Sequence, residues 1–105
     1  MAAESLDTQL VRALNKPGKA NLSKIEQLID QGANVNMKFR VHEWDVREVP
    51  LIEYVTIFSY RAPASLIPIL KLLLKKGAVP TDRVASEILR LSDPELLTLA
   101  LEKIS

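Results

Sequence analysis

The sequence predicts an all-α fold, a short solenoid of stacked helical hairpins carrying one long β-hairpin-like finger. Three observations lead there. A helix-ending phrase is written twice, as LIDQGANVN at residues 28–36 and KLLLKKGAVPT at residues 71–81, with Gly32 and Gly77 45 residues apart. Apolar residues recur at helical spacing around two breaks, Lys16-Pro17-Gly18-Lys19 and Arg61-Ala62-Pro63-Ala64. Between Val35 and Val49 the period changes to two, the alternation of a strand.

In chain order, Leu6, Leu10, Ala13 and Leu14 mark the first amphipathic helix, and Leu22, Ile25, Leu28 and Ile29 the second. Gly32 ends that helix, because the residue past a helix terminus often takes a left-handed conformation that glycine reaches without strain. Pro50 is expected as the first helical residue of LIEYVTIFSY, where its missing N–H costs nothing. Ser65 is the expected cap of the next helix, which runs through Leu66, Ile69, Leu70, Leu72, Leu73 and Leu74 to Gly77, with Pro68 in its first turn. Val84, Ala85, Ile88, Leu89 and Leu91 define a fifth helix. Ser92-Asp93-Pro94-Glu95 then supplies caps, a first-turn proline and a first-turn acid to a last helix expected to bury Leu96, Leu97, Ala100, Leu101 and Ile104. The division is one domain over residues 1–105, with repeat one at about 4–36, the finger at about 35–49, repeat two at about 50–81 and a third repeat or C-terminal cap at about 82–105.

A single hairpin cannot bury its own apolar face, so similar hairpins stack and share a core. At these residues the chain resembles the ankyrin repeat, a unit of about 33 residues made of a turn and two helices. LSKIEQLIDQGANVN at residues 22–36 follows the family's helix-Gly-Ala-x-Val-Asn ending, and residues 66–81 follow it again with Gly77-Ala78 kept. The family's Thr-Pro-Leu-His start survives as Val49-Pro50-Leu51-Ile52. Repeat one lacks that start and repeat three lacks the Gly-Ala ending, which suits degenerate caps with polar outer faces. The spacing from Gly32 to Gly77 exceeds one standard repeat by about 12 residues, so the finger and the second hairpin are both long. Asn36 stands where many members have an asparagine tying one turn to the next. The resemblance implies protein–protein recognition through fingers and through the groove formed by the first helices.

On the finger, Val35, Met37, Phe39 and Val41 alternate with Asn36, Lys38, Arg40 and His42, and Trp44 and Val46 continue the pattern on the return. A tip at His42-Glu43 sets Val41 opposite Trp44 and Phe39 opposite Val46, and pairs Arg40 with Asp45. A longer tip fits as well, since His-Glu is poor two-residue turn chemistry. An isolated two-stranded hairpin is marginal in water, so something should cover its apolar side. Either Phe39 and Trp44 fold back onto the body, or they anchor a partner protein, as aromatics and arginine do at binding hot spots. The candidate partner-binding residues are Phe39, Arg40, His42, Trp44 and Arg47, with Tyr60 beside them. Lys38, Arg40 and Arg47 either meet a phosphate or acid, or pair with Glu43, Asp45 and Glu48 as a solvated face.

Other chemistry finds little footing. The 105 residues are 48% hydrophobic and 26% charged, and 14 basic against 13 acidic side chains leave a net charge of +1, too small to draw nucleic acid or acidic lipid. There is no cysteine, and His42 is the single histidine, so no metal site is expected. The three glycines are scattered and form no phosphate-cradling loop, and no nucleophile–base set is proposed. We therefore expect no enzyme and no cofactor. Lys71, Lys75 and Lys76 suit the negative end of their helix, and Tyr54 and Phe58, four apart, suit a core. No secretory leader or membrane span is legible, so a cytoplasmic protein is expected. Its partner would be another protein, with homodimerisation through the finger as the alternative and a nucleic-acid or anionic surface as a weaker one.

Overall fold

A computed structural model describes residues 5–15, 21–40, 44, 47–58 and 63–104. The described chain is mostly helical. Its elements are α1 (Leu6–Asn15), α2 (Leu22–Asp30), β1 (Lys38–Phe39), β2 (Val49–Pro50), α3 (Leu51–Glu53) running into a π-helical segment (Tyr54–Phe58), α4 (Pro63–Lys75), α5 (Asp82–Leu91) and α6 (Pro94–Ile104). Both expected breaks fall largely outside the described residues.

Local chemistry sets the helix ends. Asn21 Oδ1 accepts the Lys24 N–H at 3.1 Å to open α2, Thr81 Oγ1 accepts from Val84 to open α5, and Asp93 Oδ1 accepts from Leu96 at 3.0 Å to open α6. Each cap satisfies one of the donors that a helix start leaves over. The repeated phrase proves to be one turn built twice. After α2, the Gly32 N–H donates to Ile29 and the Ala33 N–H to Leu28; after α4, Gly77 donates to Leu74 and Ala78 to Leu73. Gly32 and Gly77 take φ of 121° and 104°, the positive values this closure needs.

The elements pack as pairs. α1 lies on α2, the π segment on α4, and α5 on α6; across pairs, α2 packs on α4 and α4 on α6, while α3 and the π segment pack on α5. One apolar cluster runs through all of them, from Leu10, Leu14, Ile25 and Leu28 through Leu51, Ile52 and Val55 to Ile69, Leu70, Leu73, Leu74, Ile88 and Leu96.

Several expectations fail in instructive ways. Pro50 is the N-cap rather than the first helical residue: its ψ of 153° is extended because β2 holds it, and Leu51 begins α3 by donating to Met37 at 2.9 Å. The α-helix expected from Leu51 lasts three residues before it widens. The Thr56 hydroxyl donates to the Ile52 carbonyl at 2.6 Å, competing for the acceptor that an α-helix would give to the Thr56 N–H. Ser65 is not a cap, since α4 starts at Pro63 and contains Pro68. The N–H that Pro68 lacks would have met the carbonyl of Ala64, an exposed residue that water can serve. Finally, Leu89 is 66% and Leu101 64% exposed, so the last pair does not bury them and its outer face is not the polar cap expected.

Candidate binding surface

The finger leaves the body on well-held backbone. Ala33, Val35 and Met37 are buried while Asn34, Asn36 and Lys38 are exposed, the expected alternation. Residues 35–36 nevertheless form a turn, and β1 begins at Lys38. The two strands pair antiparallel, Lys38 opposite Pro50 and Phe39 opposite Val49. This corrects the register that a His42-Glu43 tip would impose, in which Phe39 faces Val46: the pairing is displaced by three residues and the tip is longer. Residues 40–48 then span the paired rungs, and their midpoint is Trp44.

Trp44 lies in a turn and is 79% exposed, so it does not fold back into the core. Arg40 and Arg47, on either arm, are exposed, as are Lys38 and Glu48. Arg40, Trp44 and Arg47 thus all fall in the stretch of chain that joins the two strands. Phe39 contributes backbone to β1; its side chain, His42, Asp45 and Tyr60 lie outside the described residues.

The base of the finger is locked to the next turn by one side chain. Asn36 Nδ2 donates to the Gly77 carbonyl at 3.0 Å, and the Val79 N–H donates to Asn36 Oδ1 at 2.9 Å. An amide is the group that can serve both at once. Asn34 Oδ1 accepts the Asn36 N–H at 2.9 Å, and Asp7 of α1 accepts the Asn34 N–H at 2.8 Å, extending the chain of bonds back to α1.

Lys71 and Lys75 of α4, and Lys76 just past its end, do more than meet a helix dipole. Lys76 bridges to Asp30 at 2.8 Å and Glu26 at 3.8 Å on α2, while Lys71 reaches Asp93 and Glu95, and Lys75 reaches Glu95, on the α6 side. The hydrogen bond to Asp30 raises the Lys76 pKa. Between the first turns of α2 and the second half of α4 lies an open cleft of about 350 Å³ lined by Leu22, Glu26, Pro68, Lys71, Leu72 and Lys75. Sequence reasoning missed this cleft, because it depends on how two helices pack. It also missed Glu53, 7% exposed, whose Oε1 accepts from the Thr81 hydroxyl at 2.9 Å. That hydroxyl oxygen in turn receives the Val84 N–H, so the cap of α5 is oriented by an acid on α3. Only the Thr81 end of this link had a sequence signal.

No group of three or more metal-ligating side chains occurs among the described residues, and no helix there is long and apolar enough to cross a membrane. No family model, curated protein or solved structure matches the chain.

Proposed function

We propose that this chain is a small ankyrin-like stack that binds another protein, with the finger as its recognition element. The observation that carries the reading is Trp44, 79% exposed midway along the connection between two strands whose base is hydrogen-bonded to the body. Leaving an indole in water forgoes the burial free energy that a partner's pocket would return. Arg40 and Arg47 flank it with donors suited to a partner's carboxylates or carbonyls. The ankyrin-like part of the reading is supported by the twin glycine turns, by Asn36 spanning two turns, and by the α2–α4–α6 row packed beside α3, the π segment and α5.

The chain has one tryptophan, so its fluorescence reports on this residue alone. The test is affinity capture from a lysate with wild type and Trp44→Ser, after thermal melts show both folded, followed by titration of the retained protein against Trp44 emission. Retention lost in the variant, with a blue shift in the wild type, supports the reading. Equal retention by both, with emission unchanged, moves recognition away from the finger.

A further inference from the structure

We propose that the free edge of β1 receives an acidic, extended segment of the partner protein, whose carboxylates meet Lys38 and Arg40. This rests on the reading of the finger as a recognition element and names the chemistry it recognises. Val35 and Met37 are buried while Asn36, Lys38 and Arg40 are exposed, so the two cations stand on one side of the chain. Two residues of extended chain set them about 7 Å apart. Among the described residues neither has an acid partner. Lys71, Lys75, Lys76 and Arg90, by contrast, each reach a carboxylate of their own chain within 3.5 Å. Carrying the register of β1 and β2 one rung further sets exposed Glu48 opposite Arg40, yet no ion pair joins them.

The backbone beside these cations is open as well. The Leu51 N–H bonds the Met37 carbonyl at 2.9 Å, so the next rung, Lys38 opposite Pro50, is a non-bonded one. The N–H and C=O of Lys38 therefore point away from β2, to an edge that no third strand occupies among the described residues. Such an edge is a template for an added strand. On an added strand every second side chain falls on the same side and stands opposite one of β1. Carboxylates two residues apart therefore match Lys38 and Arg40 in spacing, and Trp44, further along the connection, supplies the apolar contact. The same cations oppose pairing with a second copy, which would bring like charges together. A nucleic acid fits less well: two cations neutralise few phosphates, the net charge is +1, and a phosphate backbone has no N–H to offer the Lys38 carbonyl.

The test is isothermal calorimetry of the full chain with synthetic peptides of alternating glutamate and valine, and of alternating glutamine and valine. The glutamate peptide is expected to bind at least ~10-fold more tightly, and to lose that advantage in ~0.5 M salt. Lys38→Gln/Arg40→Gln, folded by circular dichroism, is expected to abolish the difference. Lys38→Glu/Arg40→Glu is expected to reverse it in favour of a lysine–valine peptide. Equal affinity for the glutamate and glutamine peptides, a preference that survives the glutamine variant, or no binding at ~1 mM overturns the proposal. So does tighter binding of a single-stranded oligonucleotide than of the glutamate peptide. In the lysate capture, retention lost with Trp44→Ser but kept by the glutamine variant would leave the finger as recognition element and overturn the acidic segment alone.

Discussion

Replacing Asn36 by alanine removes two hydrogen bonds that join the first turn to the second, and leaves the Gly77 carbonyl and the Val79 N–H without that partner. A neutral hydrogen bond contributes about 0.5–1.5 kcal/mol net. Asn36 is exposed and Val79 is 55% exposed, so water can serve the abandoned groups, and the loss should be about 1–2 kcal/mol. Urea unfolding followed at 222 nm should show a lower midpoint with unchanged slope, because the surface exposed on unfolding is the same. Asn36→Asp sharpens the test. Its carboxylate can accept from Val79 but cannot donate to Gly77, whereas the protonated acid can do both. The folded pKa of the introduced carboxyl is therefore raised; the stabilisation it brings is complete below the unfolded value of about 3.9 and is lost as pH rises through the folded value. Measured against wild type at each pH, this variant should be near parity at about pH 3 and clearly weaker at about pH 7. A change below about 0.3 kcal/mol in the alanine variant, or a deficit in the aspartate variant that ignores pH, would refute the reasoning.

Gly77→Ala should cost about 1–2 kcal/mol in the same assay, through backbone strain alone, since φ is 104° and an added Cβ meets nothing within 4 Å. An unchanged midpoint would mean that the turn relaxes. Thr81→Val removes the α5 cap and the donor to the buried Glu53, with an expected loss of about 2 kcal/mol that Thr81→Ser should largely avoid; equal losses in the two variants would deny the hydroxyl its role. The Leu96 N–H, and after it Lys71, hold the Asp93 carboxyl below its ordinary 3.8. A depressed folded pKa contributes stability above the unfolded value and loses it as pH falls through the folded one. Acid titration by circular dichroism should therefore show part of the wild-type loss below pH 3.8 missing from Asp93→Asn, and identical curves would remove Asp93 from the acid response.

The helix ends that could be read have local causes. Gly32 and Gly77 need only their own backbone freedom, and Asp93 caps a donor three residues away. Asn21 and Thr81 cap in the same way but were not singled out, and Ser65, which was, lies inside α4. Asn36 was flagged by position, and its bonds reach the turn that resembles its own. Elements decided by distant partners were not readable. Pro50 looks like a helix start until β1 claims it as a strand residue, and Leu101 looks like core until the helices of the pair settle which side has a neighbour. The finger shows both limits: alternation announced a hairpin, while its register was set by where Met37 and Leu51 join. Trp44 could be placed near the tip by counting, but its exposure could not, because an apolar ring carries no sign of whether anything will cover it.

The junction between the first and second pairs carries its polar bonds along one edge. Lys76 grips α2 through Asp30 and Glu26, and Asn36 grips the second turn through Gly77 and Val79. The finger leaves the body from Asn36, so the bonds that join the two pairs are also the bonds that seat the finger, and a change that cuts them disturbs both at once.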